Sequence, residues 1–218
     1  MSICSAAVLI SGSGTNLQAF IDETASGKID LELSVVLSNR PDAAGLERAR
    51  KADISIECLR HQDYPERAQF DAALVETLDK YAPDLVILAG FMRVLTATFV
   101  DHFRGRILNI HPSLLPKFPG LDTHRRALDA GEKWHGSTVH FVTGELDGGP
   151  ALIQGRVPVR PGDSMAELAA RVLAVEHKIY PEAVRLFAAG RIQYRDGAAW
   201  FDGERLNEPL QYSNTIRG

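Results

Sequence analysis

The sequence predicts a doubly wound α/β fold: a mostly parallel, Rossmann-like sheet with helices on both faces, in a three-layer α/β/α arrangement. Short apolar runs alternate with helical patterns along the first half of the 218 residues, which is the order that parallel sheets require. One run, residues 85–89, is apolar without alternation, as expected for a strand covered on both faces. No internal repeat or linker interrupts the chain, so we expect a single domain over residues 1–218.

Strands and helices alternate through the first half of the chain. Residues 6–10 form a compact apolar run, and the segment after the following glycine turn carries its apolar residues on one helical face. Apolar residues recur at helical spacing from Phe70 to Tyr81, which predicts an amphipathic helix. Further strands are predicted at residues 31–37, 54–58, 85–89 and 107–110, and further helices at residues 43–52 and around 98–103.

The second half has a different pattern. Strands are predicted at residues 137–142 and 151–159, joined by a glycine-rich turn at residues 147–150. Ser164 and Glu167 have capping-box spacing and predict the start of a long helix. Asp196-Gly197 predicts a C-terminal hairpin over residues 191–202, and we expect the polar tail at residues 207–218 to fray.

Composition restricts the classes of function. The net charge of -4 argues against a nucleic-acid partner, and no apolar run approaches the roughly 20 residues that cross a bilayer. Two cysteines form no disulfide framework and no signal peptide is evident, so we expect a cytoplasmic protein without a membrane partner. The seven histidines lack the close spacing of metal ligands, so no metal site is expected.

A glycine loop, residues 11–16, lies between the first predicted strand and helix. Glycines let backbone N–H groups face outward, and a helix N-terminus carries positive partial charge, so the loop suits a phosphate. The alternative is a tight turn in which Ser13 or Thr15 caps the helix, and the motif alone does not decide between them. A third glycine and a later acidic residue are missing, which argues against nicotinamide binding.

Asn109 and His111 lie at the carboxyl end of a predicted buried strand, where open α/β sheets bind their ligands. Residues two apart in a strand share a face, so both side chains can enter one cavity. A structural role at the strand end is possible, but the functional interpretation is favoured.

Asp147 lies in an Asp-Gly-Gly sequence, which is most often simply a turn, yet its carboxylate could orient a histidine for proton transfer. His140 is either a second residue of that cavity or a hydrogen-bonded core histidine.

Together these motifs resemble the glycinamide ribonucleotide formyltransferase family. The resemblance covers nearly the whole chain, including residues 8–12 (VLISG), 89–93 (AGFMR) and 140–143 (HFVT). Residues 109–116 (NIHPSLLP) are similar to the wider formyl-transfer superfamily, whereas the glycine loop and residues 176–181 (EHKIYP) resemble the purine branch. The resemblance implies a sheet of about seven strands, mostly parallel with one antiparallel.

The same resemblance implies roles for particular residues. The catalytic set would be Asn109, His111 and Asp147. The substrate phosphate would be held by Gly14, Thr15 and Asn16, and the ribose would contact Glu176. The folate pocket would be lined by Met92, Arg93, Val94, Leu95 and Asn109, with Arg67 near the folate tail.

The activity implied by the resemblance is a one-carbon transfer in purine biosynthesis. The formyl group of 10-formyltetrahydrofolate would move to the amine of N1-(5-phosphoribosyl)glycinamide, in a metal-free enzyme that is a monomer or a homodimer. A hydrolase of the same superfamily would carry an N-terminal regulatory domain, for which a first strand starting by residue 6 leaves no room. A formylase of initiator tRNA would need a C-terminal domain, and we expect none after Gly190. A non-catalytic nucleotide-binding module would leave Asn109, His111 and Asp147 without a role.

Overall fold

The computed structural model describes residues 3–212, and every strand and helix that the sequence predicts is present in it with shifted boundaries. The strands are β1 (Cys4–Ile10), β2 (Leu31–Ser38), β3 (Ile56–Cys58), β4 (Leu85–Leu88), β5 (Ile107–His111), β6 (Trp134–Phe141), β7 (Ala151–Pro158), β8 (Ile192–Arg195), β9 (Ala198–Phe201), β10 (Glu204–Arg205) and β11 (Leu210–Gln211). The helices are α1 (Thr15–Ala25), α2 (Gly45–Lys51), α3 (Arg67–Asp79), α4 (Ala97–His102), α5 (Thr123–Asp129) and α6 (Met165–Ala188), with a 3-10 helix at His61–Asp63.

The first of two compact units, residues 1–109, contains the parallel part of the sheet. Its strands are paired in the order β3-β2-β1-β4-β5, and every one of these pairs is parallel. The chain therefore moves outward from β1 to β3 and then returns to the other side of β1. Because crossovers between parallel strands are right-handed, α1 and α2 cover one face and α3 and α4 the other. The helix contacts agree, since α1 packs on α2 and α3 packs on α4.

The strand order reverses between β1 and β4, and the loops that follow these two strands meet at the carboxyl edge of the sheet. The Ser11 N–H donates to the Gly90 carbonyl (3.1 Å), and the Met92 N–H donates to Ser11 Oγ (2.8 Å). Such a reversal point is where open α/β sheets hold ligands. The doubly wound fold therefore brings the glycine loop next to the segment after β4.

The second unit, residues 110–218, contains the antiparallel part of the fold. β6 pairs with β7 in antiparallel orientation, and α6 packs against both strands. The predicted capping box begins α6: the Glu167 N–H donates to Ser164 Oγ and the Ser164 N–H donates to Glu167 Oε2. The predicted hairpin is present as β8 and β9, which form a separate three-stranded sheet with β10.

The main sheet has eight strands, in the order β11-β7-β6-β5-β4-β1-β2-β3, where the sequence led us to expect about seven. The additional strand is β11, which pairs with β7 in parallel orientation. The expectation that residues 207–218 fray is therefore wrong at Leu210–Gln211, and residues 213–218 lie outside the described residues. The α/β class and the mostly parallel sheet are confirmed, while the single domain stays a prediction.

Besides the two-residue strands β10 and β11, two helical elements have no counterpart among the sequence predictions. α5 is seven residues long and the 3-10 helix is three, so neither contains enough turns for an apolar period to be recognised. In contrast, β4 could be recognised because all four of its residues are large and apolar, and all four are buried in the structure. Among the helices in residues 3–212, none has the length and apolar composition that a membrane span requires.

Candidate active site

The loop that follows β5 is held in place by side chains of β6 and β7. Thr138 Oγ1 donates to the Ser113 carbonyl (2.7 Å) and accepts from the Leu115 N–H (3.0 Å). Gln154 Nε2 donates to the Leu115 carbonyl (2.8 Å). Because the prolines of this loop also restrict its backbone, the residues that follow His111 have a defined position.

His111 is the last residue of β5, and both of its ring nitrogens face oxygen atoms. Nε2 lies 2.9 Å from the Phe118 carbonyl oxygen, which can only accept, so Nε2 carries a proton. Nδ1 lies 3.4 Å from Asp147 Oδ2. The side chains of His111 and Asp147 are 7% and 8% exposed, so water screens this contact weakly. An imidazolium at this position would have an acceptor for each N–H group.

Asp147 is positioned by the backbone of its own turn. Its φ is +52°, in the left-handed region that aspartate tolerates better than most residues. A Cβ at Gly149 would lie 1.8 Å from the Phe141 carbonyl oxygen, so this turn packs against the end of β6 only with glycine there. Asp147 Oδ2 accepts from the Gly120 N–H (2.8 Å). The Asp-Gly-Gly sequence is thus a turn, as expected, and it also directs a buried carboxylate at His111.

His140, on β6, fits both alternatives that the sequence left open, a core histidine and a residue of the site. It is a hydrogen-bonded core residue, since Nδ1 lies 2.9 Å from the Phe141 carbonyl oxygen and the residue is 2% exposed. It also faces the site, since Nε2 lies 3.9 Å from Asp147 Oδ1. Burial lowers the pKa of His140, which favours its neutral form. Asp147 therefore lies between two histidines.

Asn109 and His111 occupy alternate positions of β5. Asn109 is half-buried and lies opposite Leu88 in the pairing with β4. Since alternate residues of a strand share a face, its side chain is on the same face as that of His111.

Glu176 is buried on α6 and lies beside β6. Its Oε1 is 3.2 Å from Ser137 Oγ, which donates to the His111 carbonyl at 2.7 Å. The predicted ribose contact therefore lies one side chain away from the backbone of His111. Ser137 was not among the predicted site residues, because a serine inside a strand gives no signal in the sequence.

A pair of histidines beside this loop was also not predicted. His124 Nδ1 and His135 Nε2 are 3.1 Å apart, and the His135 ring packs edge-on against Phe118. Burial lowers the pKa of His135 to about 4 and is also the main reason that the pKa of His124 is lowered. These residues are eleven positions apart on α5 and β6, a spacing that no motif could have revealed.

The glycine loop, in the first unit, ends with Gly14 as the N-cap of α1. Gly14 has a φ of +68° and, as a glycine, brings no side chain to the N-cap position, so the interpretation of Ser13 or Thr15 as the N-cap residue is wrong. A Cβ at Gly14 would lie 2.6 Å from the Cα of Gly45, the first residue of α2. Glycine is therefore required at position 14 both by backbone conformation and by close packing. Thr15 and Asn16 form the first turn of α1, where the backbone N–H groups of a helix point outward from its N-terminus.

The predicted folate segment follows β4 in the same unit. Met92 and Val94 are 72% and 55% exposed, an unusual degree for large apolar side chains, while Arg93 and Leu95 are half-buried. The Arg93 guanidinium lies 5.5 Å from the centre of the Phe70 ring. These exposed apolar residues suit a flat, largely apolar ligand.

Helix α3 packs against the segment that follows β4. Asp71 Oδ2 accepts from the Thr96 N–H (2.6 Å), and Phe70 contacts Arg93 as described above. Arg67 is the first residue of α3 and is exposed. The predicted neighbour of the folate tail is therefore on the helix that contacts the predicted folate segment.

The chain is similar to proteins of one family and to several solved structures. Residues 5–184 match the formyl transferase family. The chain is 54% identical over 199 residues to the phosphoribosylglycinamide formyltransferase of Escherichia coli K12, an alignment covering 91% of this chain and 94% of that protein. The solved structure of the phosphoribosylglycinamide formyltransferase of Coxiella burnetii superposes with a TM-score of 0.93 at 47% identity, covering 97% of this chain and 100% of that one. The glycinamide ribonucleotide transformylase 1 of Symbiobacterium toebii superposes with a TM-score of 0.88 at 51% identity, over 91% and 94% of the two chains. The chain belongs to the formyl transferase family, in its phosphoribosylglycinamide formyltransferase branch.

Proposed function

We propose that this protein transfers the formyl group of 10-formyltetrahydrofolate to the amine of N1-(5-phosphoribosyl)glycinamide. The products are formylglycinamide ribonucleotide and tetrahydrofolate, in purine biosynthesis. The proposal rests on the buried pair of His111 and Asp147 in a chain of this family. A buried histidine beside a carboxylate is suited to acid–base chemistry and to stabilising a developing negative charge.

We assign substrate binding to two sets of residues. The phosphate is bound by backbone N–H groups at Gly14, Thr15 and Asn16, and the glycine at the N-cap of α1 supports this assignment. The buried carboxylate of Glu176 accepts hydrogen bonds from the ribose hydroxyls. The folate lies along Met92, Arg93, Val94 and Leu95, contacts Asn109, and places its tail near Arg67.

The chemical step is a direct acyl transfer. The substrate amine attacks the formyl carbon, the carbonyl oxygen gains negative charge, and the bond from that carbon to the folate N10 then breaks. Asn109 donates its amide hydrogen to the oxyanion. His111 contributes positive charge, because both of its ring nitrogens already face acceptors. A lost oxyanion donor costs about a hundred- to a thousandfold in rate.

Asp147 holds His111 in its oriented, charged form and supports proton transfer. The amine must lose a proton and the departing N10 must gain one, so a buried carboxylate between two histidines is suited to the transfer. His140 supports this step from the other side of Asp147. No covalent intermediate on the enzyme is required.

The remaining features of the proposal concern the conditions under which the enzyme works. Acyl transfer of this kind needs acid–base groups and an oxyanion donor, so we propose that it proceeds without a metal ion. The net charge of -4 supports small-molecule substrates rather than a nucleic acid. We propose a cytoplasmic enzyme that is a monomer or a homodimer.

The test is a formyl-transfer assay with purified protein, in which tetrahydrofolate release is followed with and without glycinamide ribonucleotide. We expect release that depends on the ribonucleotide and that falls sharply in His111→Gln. A matched control is His102→Gln, because His102 forms an exposed pair with Asp79 (2.9 Å). Release without the amine would instead indicate a hydrolase. Phosphate binding by folded protein without any release would indicate a binding module.

A further inference from the structure

Two carbonyl groups of the glycine loop are bound by α2. The Gly45 N–H donates to the Gly12 carbonyl (3.0 Å), and Arg48 Nε donates to the Ser13 carbonyl (2.8 Å). Both oxygens are thereby held toward α2, where they do not repel an anion bound to the loop. Arg48 also packs closely here, since a Cβ at Gly14 would lie 3.4 Å from its Cδ.

The guanidinium of Arg48 joins three elements of the first unit. Besides the loop carbonyl, it donates from NH1 to Gln18 Oε1 (3.0 Å) on α1. Its neighbour Glu47 pairs with Arg50 instead, and Arg48 forms no ion pair with a carboxylate among residues 3–212. A guanidinium remains charged at any physiological pH. An unneutralised positive charge therefore lies directly behind the loop, next to the N-terminus of α1.

We propose that Arg48 is a positioning residue that gives the enzyme its preference for a phosphorylated substrate. It holds the Ser13 carbonyl away from the phosphate, keeps the loop N–H groups directed outward, and adds positive charge beneath them. This inference rests on the proposed function, because it concerns the phosphate subsite of that reaction. Arg48 takes no part in the chemical step.

The experiment compares two substrates that differ only in the phosphate, glycinamide ribonucleotide and glycinamide ribonucleoside, in the wild-type enzyme and in Arg48→Met. Methionine keeps much of the apolar stem but has no donor and no charge. We expect Arg48→Met to lower kcat/KM for the ribonucleotide by about ten- to a hundredfold, mainly through KM, because a hydrogen bond from a charged group and its field are lost. We expect kcat/KM for the ribonucleoside, and kcat for both substrates, to stay within about twofold. The kcat/KM of Arg48→Lys for the ribonucleotide should lie between those of the wild-type enzyme and Arg48→Met, because lysine keeps the charge.

Two control variants distinguish this role from a structural one. Arg50→Met removes an exposed arginine of the same helix, and Gln18→Met removes the contact with α1 while leaving the contact with Ser13. Both should behave like the wild type. The proposal is overturned if Arg48→Met lowers activity equally for both substrates, if Gln18→Met has the same effect, or if Arg48→Met leaves the preference unchanged. A wild-type enzyme that does not discriminate between the two substrates would instead contradict the phosphate role of the loop in the proposed function.

Discussion

The replacement Asp147→Asn removes one charge from the site with little change in shape. Asparagine also tolerates the positive φ of +52° at this position, and its side-chain oxygen can still accept from the Gly120 N–H. The turn should therefore keep its conformation. The variant isolates the effect of the carboxylate charge on His111.

The expected magnitude follows from the separation of the two groups. At 3.4 Å, with an effective dielectric constant of about 20, a carboxylate and an imidazolium attract each other by about 5 kcal/mol. The amide dipole of asparagine restores part of this, so we expect the transition state to lose about 3–4 kcal/mol. That corresponds to a decrease in kcat of about a hundred- to a thousandfold. Both KM values should change little, because the charge that Asp147 maintains on His111 stabilises the oxyanion that develops during the reaction and not the bound substrates.

The assay is steady-state formyl transfer, with a thermal melt to confirm folding. Asp79→Asn is the matched control, because Asp79 pairs with His102 at 2.9 Å on the surface, where its side chain is 51% exposed. Exposed ion pairs contribute little, so kcat and the melting temperature of this control should stay near the wild-type values. A folded Asp147→Asn enzyme with kcat within threefold of the wild type would refute the assigned role of Asp147.

Three further substitutions test the fold and its response to pH. Gly14→Ala places a Cβ 2.6 Å from the Gly45 Cα at a φ of +68°, so it should lower the free energy of unfolding by about 1–2 kcal/mol or more, which a thermal melt measures. It should also weaken the binding of inorganic phosphate in a calorimetric titration. An unchanged melting temperature would contradict the close packing. Burial lowers the pKa of His135 from 6.5 to about 4, so the unfolded chain binds more protons in that window and stability falls as the pH drops through it. His135→Gln should therefore flatten the decrease in urea midpoint between pH 6.5 and pH 4, and an equally steep decrease would show that other groups cause it. Ser164→Ala removes the hydroxyl that accepts from the Glu167 N–H, so the free energy of unfolding measured in urea should fall by about 1 kcal/mol while kcat stays the same. A large fall in kcat would show that α6 is coupled to the chemical step.

The parts of the fold that the sequence predicted are those with a strong local signal. Residues 6–10 of β1 and the whole of β4 are apolar runs that are almost completely buried, and the capping box of α6 is recognisable from two residues. β11 could not be predicted, because its two residues become a strand only through pairing with β7. Secondary structure that arises from tertiary pairing leaves no local pattern.

The candidate site shows the same division. Asn109 and His111 were identified because they lie at the carboxyl end of a buried strand, which is where open α/β sheets bind their ligands. The sequence favoured a simple turn at Asp147, and its left-handed backbone became visible only in the structure. The partner of His111 Nε2 is the Phe118 carbonyl, and backbone partners cannot be read from residue types. The pairing of His124 with His135 likewise depends on how α5 meets β6.

The hydrogen bonds of Ser11 have a consequence for protein engineering. Its backbone binds the Gly90 carbonyl and its hydroxyl binds the Met92 N–H, while that same hydroxyl donates to Asn39 Oδ1 at 2.6 Å. The loops after β1 and β4 are thus not independent modules. A loop grafted from another enzyme at either position would arrive without its partner and leave buried polar groups unpaired. Altered substrate specificity in this scaffold should therefore be sought by exchanging the two loops together, with Asn39 as part of the same block.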